Sequence, residues 1–259
     1  MKTKYVVLIF IMMVTSTSIN CGSGQHYNNR TPLNFSSVWI SYQENVLGYV
    51  GNDYQRFYFL IDSIKVNAVD TTIYDVWGKY RIKEQINIYE GQIRVVEYTK
   101  LPPKHRVRES HPLSNSQLYC LISEWDLKTK GNEEKIKGKM QSSFIIINGK
   151  AVFDEMNLEY SDSYCNNQFV GILSSKTSGE QKCRWGTFRI PDSDELDIGA
   201  AEFSPNEKYL PYGWQSYHDA FIEGTEKGWQ KEDQDYWNLQ HYPLQMQDSS
   251  EAIIVTEKR

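Results

Sequence analysis

The segment 144–153 limits what this chain can fold into more than any other part of its sequence. Two apolar runs lie on either side of Asn148-Gly149. This dipeptide accepts the positive φ values of a type I′ turn, so the segment predicts a hairpin with a two-residue turn. Because a tight hairpin joins antiparallel strands, the segment indicates an antiparallel sheet.

Much of the chain repeats this pattern of apolar runs separated by turn residues. An aromatic content of 14% favours strands. The predicted strands do not alternate with helical segments, as the strands of a parallel sheet would. We expect a mainly β protein whose antiparallel meander closes as a barrel or a sandwich, because closure removes exposed sheet edges. The predicted strands comprise Val38, Ile40 and Tyr42 in alternation, the segments 57–61, 73–83, 85–100 with Gly91 as a bulge, and 117–128, and a hairpin of 168–175 with 182–190.

The charge of the chain changes after Pro191. Residues 192–259 carry 15 acidic and 5 basic side chains, whereas the net charge of the whole chain is −5. We therefore separate a β body from an acidic C-terminal section. The predicted regions are a signal peptide over 1–20, a flexible tether over 21–36, the antiparallel β body over 37–190, an acidic and partly helical section over 191–245, and a tail over 246–259.

The acidic section contains signals for two short helices. Ser216 resembles an N-cap, and Gly224 marks the end of the first helix. Thr225 is expected to cap the second, whose large apolar face holds Trp229, Tyr236 and Trp237. In the tail, residues 252–255 either form an edge strand or belong to a frayed end.

The N-terminus has the three parts of an export signal. Lys2 and Lys4 precede an uncharged apolar run over 5–14, and small polar residues follow. Cys21 then begins a Gly-Ser-Gly tether, a placement that resembles a bacterial lipoprotein and implies a lipid on Cys21. We expect a protein held in the cell envelope by this lipid anchor. The alternative is cleavage after Ser18, which gives a soluble secreted protein.

The four cysteines are expected to lie in an oxidising compartment. Cys165 and Cys183 flank the turn around 177–179, so we predict a disulfide between them. Cys120 lies in a run that is apolar on both faces and is expected to be a buried free thiol.

Most sequence motifs for catalysis are missing. The chain has no Gly-x-Ser-x-Gly, His-Glu-x-x-His, phosphate-binding or dinucleotide-binding motif, and its five histidines are scattered. We therefore assign no catalytic residue, metal ligand or cofactor. The net negative charge argues against nucleic acid as a partner.

Three polar or aromatic features stay open as binding features. The acidic loop 192–202 is a hydrated turn, a calcium site or a glycosidase-like carboxylate pair, although Leu196 and Asp197 break the register of an EF-hand. The basic loop 100–111 is a solvated connection or an anion-binding surface. Trp185 and Trp214 belong to the core or stack on sugar rings.

The residues between 165 and 215 carry a resemblance. Cys183-Arg184-Trp185-Gly186, Leu196-Asp197-Ile198-Gly199 and Tyr212-Gly213-Trp214 are similar to the C-terminal half of a group of exported bacterial envelope proteins with no assigned activity. The function expected is that of a non-enzymatic envelope lipoprotein that binds a small ligand, a glycan or a partner protein. The alternative is a secreted hydrolase that uses carboxylates of the acidic loop.

Overall fold

The computed structural model describes residues 33–102, 116–131, 133–155, 163–229 and 232, and the backbone of 253–254. Within these residues the protein is a single antiparallel sheet with short helices. The helices are α1 (Ser36–Ile40), α2 (Gln215–Glu223) and two 3-10 helices, Gln43–Asn45 and Glu207–Tyr212; the strands are β1 (Val46–Val50), β2 (Gln55–Val66), β3 (Ile73–Ile82), β4 (Gln85–Lys100), β5 (Leu118–Thr129), β6 (Glu134–Ile147), β7 (Lys150–Phe153), β8 (Asn166–Ser175), β9 (Gly179–Thr187) and β10 (Ile253–Ile254).

The sheet closes on itself. From β1 to β6 each strand pairs with the next, β8 pairs with β6 and with β9, and β1 pairs with both β2 and β9. Eight strands therefore form a ring, while β7 extends along β6 beyond β8 and β10 pairs with β2. The predicted mainly β, antiparallel meander is confirmed, and its ring closure is that of a barrel.

The seam of the ring lies between β1 and β2, which share only two residue pairs. Farther along β2, the side-chain amide of Gln43 replaces the missing strand. Its Oε1 accepts a hydrogen bond from the Ile61 N–H at 2.7 Å, and its Nε2 donates to the Ile61 carbonyl at 3.0 Å. Both backbone groups of a buried residue are thus satisfied by one side chain.

The predicted strand at Val38, Ile40 and Tyr42 is wrong, because this segment contains helix α1 and a turn. The period-two spacing of those residues hides a helical spacing, since Val38 and Trp39 lie three and four positions after Phe35. All three side chains are at most 3% exposed and belong to the main core. Residues 33–36 of the predicted tether are therefore part of the described fold.

A stack of four aromatic rings crosses the barrel interior. The rings of Phe169 and Trp185 lie 3.5 Å apart and 11° from parallel. Trp185 stacks on Phe59 at 4.4 Å, and Phe59 stacks on Tyr89 at 5.1 Å. Trp125 contacts three of these rings edge-on, at 5.9–6.2 Å. Stacked and edge-on rings stabilise the core beyond the area that they bury.

Glycines make room for the two ends of this stack. A Cβ on Gly138 or Gly171, which pair across β6 and β8, would lie about 2.5 Å from the Phe169 ring. At the other end, a Cβ on Gly78 would lie 2.5 Å from the Tyr89 hydroxyl. These strand glycines are therefore positions where rings lie against bare backbone.

The two-residue turn after β6 confirms the strongest local signal of the sequence. Asn148 and Gly149 have φ values of 51° and 76°, as a type I′ turn requires. The predicted bulge at Gly91 is wrong, since the pairing of β4 with β5 shifts between Val95 and Glu97.

The C-terminal section packs on the outside of the barrel. Helix α2 ends at Gly224 as predicted, but its N-cap is Trp214 instead of Ser216. Thr225 Oγ1 accepts a hydrogen bond from the Gly228 N–H at 3.0 Å, in agreement with the predicted second cap. The prediction for Tyr236 and Trp237 lies outside the described residues. Of the two alternatives for the tail, residues 253–254 show the edge strand, since they form β10 and pair with β2.

Arg56 anchors this section to β2. Its side chain is 2% exposed, donates to the Glu232 carboxylate and contacts the rings of Tyr58, Trp214 and Tyr217 at 4.3–5.4 Å. A buried guanidinium needs such an ion pair and such aromatic faces to offset its lost hydration.

We predict that Gln43→Ala lowers the free energy of unfolding by about 2–3 kcal/mol, because the Ile61 N–H and carbonyl lose their partner in a buried position. Urea denaturation followed by tryptophan fluorescence measures this change. The control is Gln85→Ala, at an exposed position, where we expect a change within about 0.5 kcal/mol. Equal losses in the two variants would contradict the role of Gln43 at the seam.

Candidate functional site

The carboxylates of the acidic loop bind separate partners. Asp192 pairs with Arg184 at 2.9 Å, and Asp197 pairs with Arg189 at 3.1 Å. Glu195 accepts a hydrogen bond from the Tyr209 hydroxyl at 2.7 Å and lies 3.5 Å from the Lys208 ammonium. The loop is thus held by one cation for each of these three acids.

Asp197 is the structural centre of the loop. Its Oδ1 accepts hydrogen bonds from the Gly199 and Ser204 N–H groups at 3.0 and 3.1 Å. Burial raises the pKa of Asp197. The two backbone hydrogen bonds and the charge of the Arg189 guanidinium act in the opposite direction. By contrast, the hydrogen bond from Tyr209 is the main cause that lowers the pKa of Glu195.

Nothing in this geometry favours the calcium or glycosidase alternatives for the loop. Within the described part of the chain, no group of three His, Cys, Asp or Glu side chains is arranged to hold a metal ion. Leu196, in the middle of the loop, is fully buried in a small outer core with Phe203 and Trp214. The loop therefore covers that core and contributes Leu196 to it.

The predicted disulfide between Cys165 and Cys183 is wrong, since both are free thiols. The register of the β8–β9 hairpin gives the reason. Cys183 pairs with Gly171, whereas Asn166, the neighbour of Cys165, pairs with Thr187, so at 3.3 Å per residue more than about 13 Å of strand separates the two cysteines. A disulfide requires Cα atoms within about 7 Å. Burial raises the pKa of both thiols.

Cys120 is buried as predicted, but it is not one of the free thiols. The assignment of the three cysteines is therefore wrong in both of its parts. Cys21 is the remaining cysteine of the sequence, and it lies outside the described residues.

The two tryptophans considered as sugar platforms are structural. Trp185 is 1% exposed within the ring stack, and Trp214 is fully buried beneath the acidic loop. The motifs that carry the resemblance thus supply core residues. Of the basic loop, the structure describes only residues 100–102, so that feature lies largely outside the described residues.

A groove with a volume of about 450 Å³ lies on the outer face of β3–β6. It lies between two rows of outward side chains that cross the strands. The backbone of Trp125 and Gly138, which pair with each other, forms its floor. The first row is Arg94, Glu124 and Lys139, and the second is Gln92, Asp126 and Lys137. We call this cavity the outer-face groove.

Both rows continue onto β8 and β9. Lys139 pairs with Val170 and Val170 with Arg184, while Lys137 pairs with Ile172 and Ile172 with Lys182. Val170 is 41% exposed and Ile172 is 38% exposed. Each row therefore has the order acid, lysine, aliphatic residue and second cation.

The ion pairs in the groove are open to solvent. Lys137 lies 2.6 Å from Asp126, and Lys139 lies 3.3 Å from Glu124, with side-chain exposures of 48–67%. Exposed pairs of this kind contribute at most about 1 kcal/mol each. A binding partner can therefore replace one member of a pair at small cost.

Sequence analysis missed this groove because its rows form only when five strands are paired in register. The local signal was present as charges at alternate positions, Lys135, Lys137 and Lys139 on one strand and Glu124 and Asp126 on another. Such alternation identifies outward faces, but it does not identify which strands are neighbours.

Comparison of the chain with protein-family models, with curated proteins and with solved structures finds no match. Within the described residues no helix is long and apolar enough to cross a membrane.

We predict that calcium leaves the stability unchanged. Melting curves recorded with a chelator and with added calcium are expected to overlay, because Asp192, Glu195 and Asp197 already have cationic partners. A ligand at a hundredfold excess over its Kd would add about 2.7 kcal/mol. A shift of several degrees between the curves would contradict this assignment of the acidic loop.

Proposed function

We propose that this protein is an exported, non-enzymatic binding protein that binds a protein partner through the outer-face groove. The observation that carries the proposal is the filled barrel interior. Phe59, Tyr89, Phe169 and Trp185 stack across it and are each at most 3% exposed. A ligand inside the barrel would have to displace this stack, so the outer surface is the better binding surface.

The chemistry of the groove supports a protein partner over a glycan. Sugar-binding surfaces usually offer an exposed aromatic ring, whereas Trp125 at the groove floor is 2% exposed. The groove instead presents charged side chains of both signs beside two exposed aliphatic side chains. Charged rims and aliphatic contacts are typical of protein interfaces. The carboxylate-dependent hydrolase has no comparable support, because the loop carboxylates are occupied by separate cations.

The test places a photo-crosslinking amino acid at Val170 or Ile172 in the native host. We expect an adduct with a protein partner at these two positions after irradiation. The matched control positions are Ile198 and Ile222, which are 62% and 70% exposed and lie in the acidic loop and in helix α2.

Adducts at Val170 and Ile172, with none at the control positions, support the proposal. The absence of adducts at the groove, or equal adducts at all four positions, would overturn it. Binding of an apolar dye that quenches the fluorescence of Trp185 and Trp125 would instead locate a ligand site inside the barrel.

Export and anchoring are part of the same proposal and depend on Cys21. The Gly-Ser-Gly tether after Cys21 supports the lipid anchor, and the small residues Ser16 and Ser18 support the secreted alternative, in which cleavage follows Ser18. Both forms place the protein outside the cytoplasm.

Mass spectrometry of unreduced protein from its native host distinguishes these forms. A lipid-anchored protein gives an acylated Cys21 peptide and loses detergent-phase partitioning in the Cys21→Ser variant. A secreted protein gives an N-terminal peptide that begins at Ile19 and carries no acyl group. A full-length chain that retains residues 1–20 in the cytoplasm would contradict export altogether.

A further inference from the structure

We propose that the segment bound by this surface is an extended, acidic peptide in the order acid, aliphatic, aliphatic, acid. This inference rests on the proposed function, because it names the chemistry of the partner on the same outer face, where the two rows of the groove continue onto β8 and β9. It is carried by the residues that surround the exposed aliphatic pair on β8.

Every cross-strand neighbour of that pair is a cation. Val170 lies between Lys139 and Arg184, and Ile172 lies between Lys137 and Lys182. The acids that pair with the two β6 lysines lie on the far side, on β5. Seen from β8, the aliphatic side chains are therefore flanked by positive charge on both sides.

Lys182 makes no ion pair within the part of the chain that the structure describes. Lys139 is 67% exposed, and its ammonium lies 3.3 Å from the Glu124 carboxylate. These two side chains lie in opposite rows and on opposite sides of β8. They are the pair of cations best placed to accept two carboxylates from one peptide.

The spacing sets the order of residues in the peptide. From β6 to β9 there are two inter-strand steps, or about 10 Å, and the two rows are about 7 Å apart. An extended chain advances about 3.3 Å per residue and turns alternate side chains to opposite sides. Residue i then reaches Lys139, i+1 reaches Ile172, i+2 reaches Val170 and i+3 reaches Lys182.

A membrane surface is the less favourable occupant. A membrane surface binds through several cations at once, so Lys137, Lys139 and Arg184 would all have to leave the carboxylates that they face at 2.6–3.3 Å, whereas a peptide exchanges only the partner of Lys139. A peptide carries its acids at fixed positions and can use the two cations in opposite rows. Anionic vesicles therefore enter the test as the opposing outcome.

The experiment measures fluorescence anisotropy with the mature protein and a labelled hexapeptide, Gly-Asp-Val-Val-Asp-Gly. The matched control peptide, Gly-Val-Asp-Asp-Val-Gly, has the same composition and charge in a different order. We expect the first peptide to bind at least about threefold more tightly. This ratio of affinities is within what one exposed ion pair contributes to a binding free energy.

Variants link the binding to the groove. Lys139→Gln and Lys182→Gln are each expected to weaken binding of the first peptide by about threefold or more. Lys208→Gln is the control, because Lys208 is equally exposed at 67% and pairs with an acid at 3.5 Å, but lies in the C-terminal section. We expect this variant to bind as the unmodified protein does.

Two outcomes would overturn the inference. One is equal affinity for the two peptides, or affinity that is unchanged in Lys139→Gln and Lys182→Gln. The other is binding to vesicles of anionic phosphatidylglycerol, but not to the peptide, with the same dependence on these lysines. If photo-crosslinking at Val170 captures a partner whose linked peptide lacks the two acids, this inference fails while the proposed function stands.

Discussion

The stack of Phe169, Trp185, Phe59 and Tyr89 is the constraint on which the rest of this structure depends. Parallel rings at 3.5–5.1 Å fill the barrel from one wall to the other. Flat rings reach the wall only where the wall has no side chain, so glycines on β3, β6 and β8 face the ends of the stack. The stack thereby accounts for the glycines at positions 78, 138 and 171 and leaves the outer surface as the place for binding.

The sequence predicts those elements whose signal is local. Asn148-Gly149 identifies its hairpin because two adjacent residues must accept positive φ, and Gly224 identifies the end of α2 for the same reason. It fails at α1, where Val38, Ile40 and Tyr42 alternate as in a strand, while the burial of Phe35, Val38 and Trp39 makes the segment helical. Tertiary packing decides between two patterns that the same residues allow.

The candidate site could not be predicted in the same way, because it consists of pairings between distant segments. Cys165 and Cys183 illustrate this point, since their proximity in sequence suggested a bond that the hairpin register places out of reach. The acidic loop illustrates it too. Its carboxylates form one cluster in the sequence, yet Arg184, Arg189 and Lys208 draw them to separate places.

The interior and the outer-face groove are fixed by a single register. Side chains alternate along a strand, so the inward placement of Trp125, Gly138 and Gly171 obliges their neighbours Glu124, Lys139 and Val170 to point outward. A slip of one residue in any of these strands would expose the core positions and bury the charges. The ring stack opposes such a slip, because Gly138 and Gly171 leave the bare backbone that the ring of Phe169 needs, and a Cβ at either position would lie about 2.5 Å from that ring. The packing that excludes a ligand from the barrel therefore also holds the two rows of the groove in line.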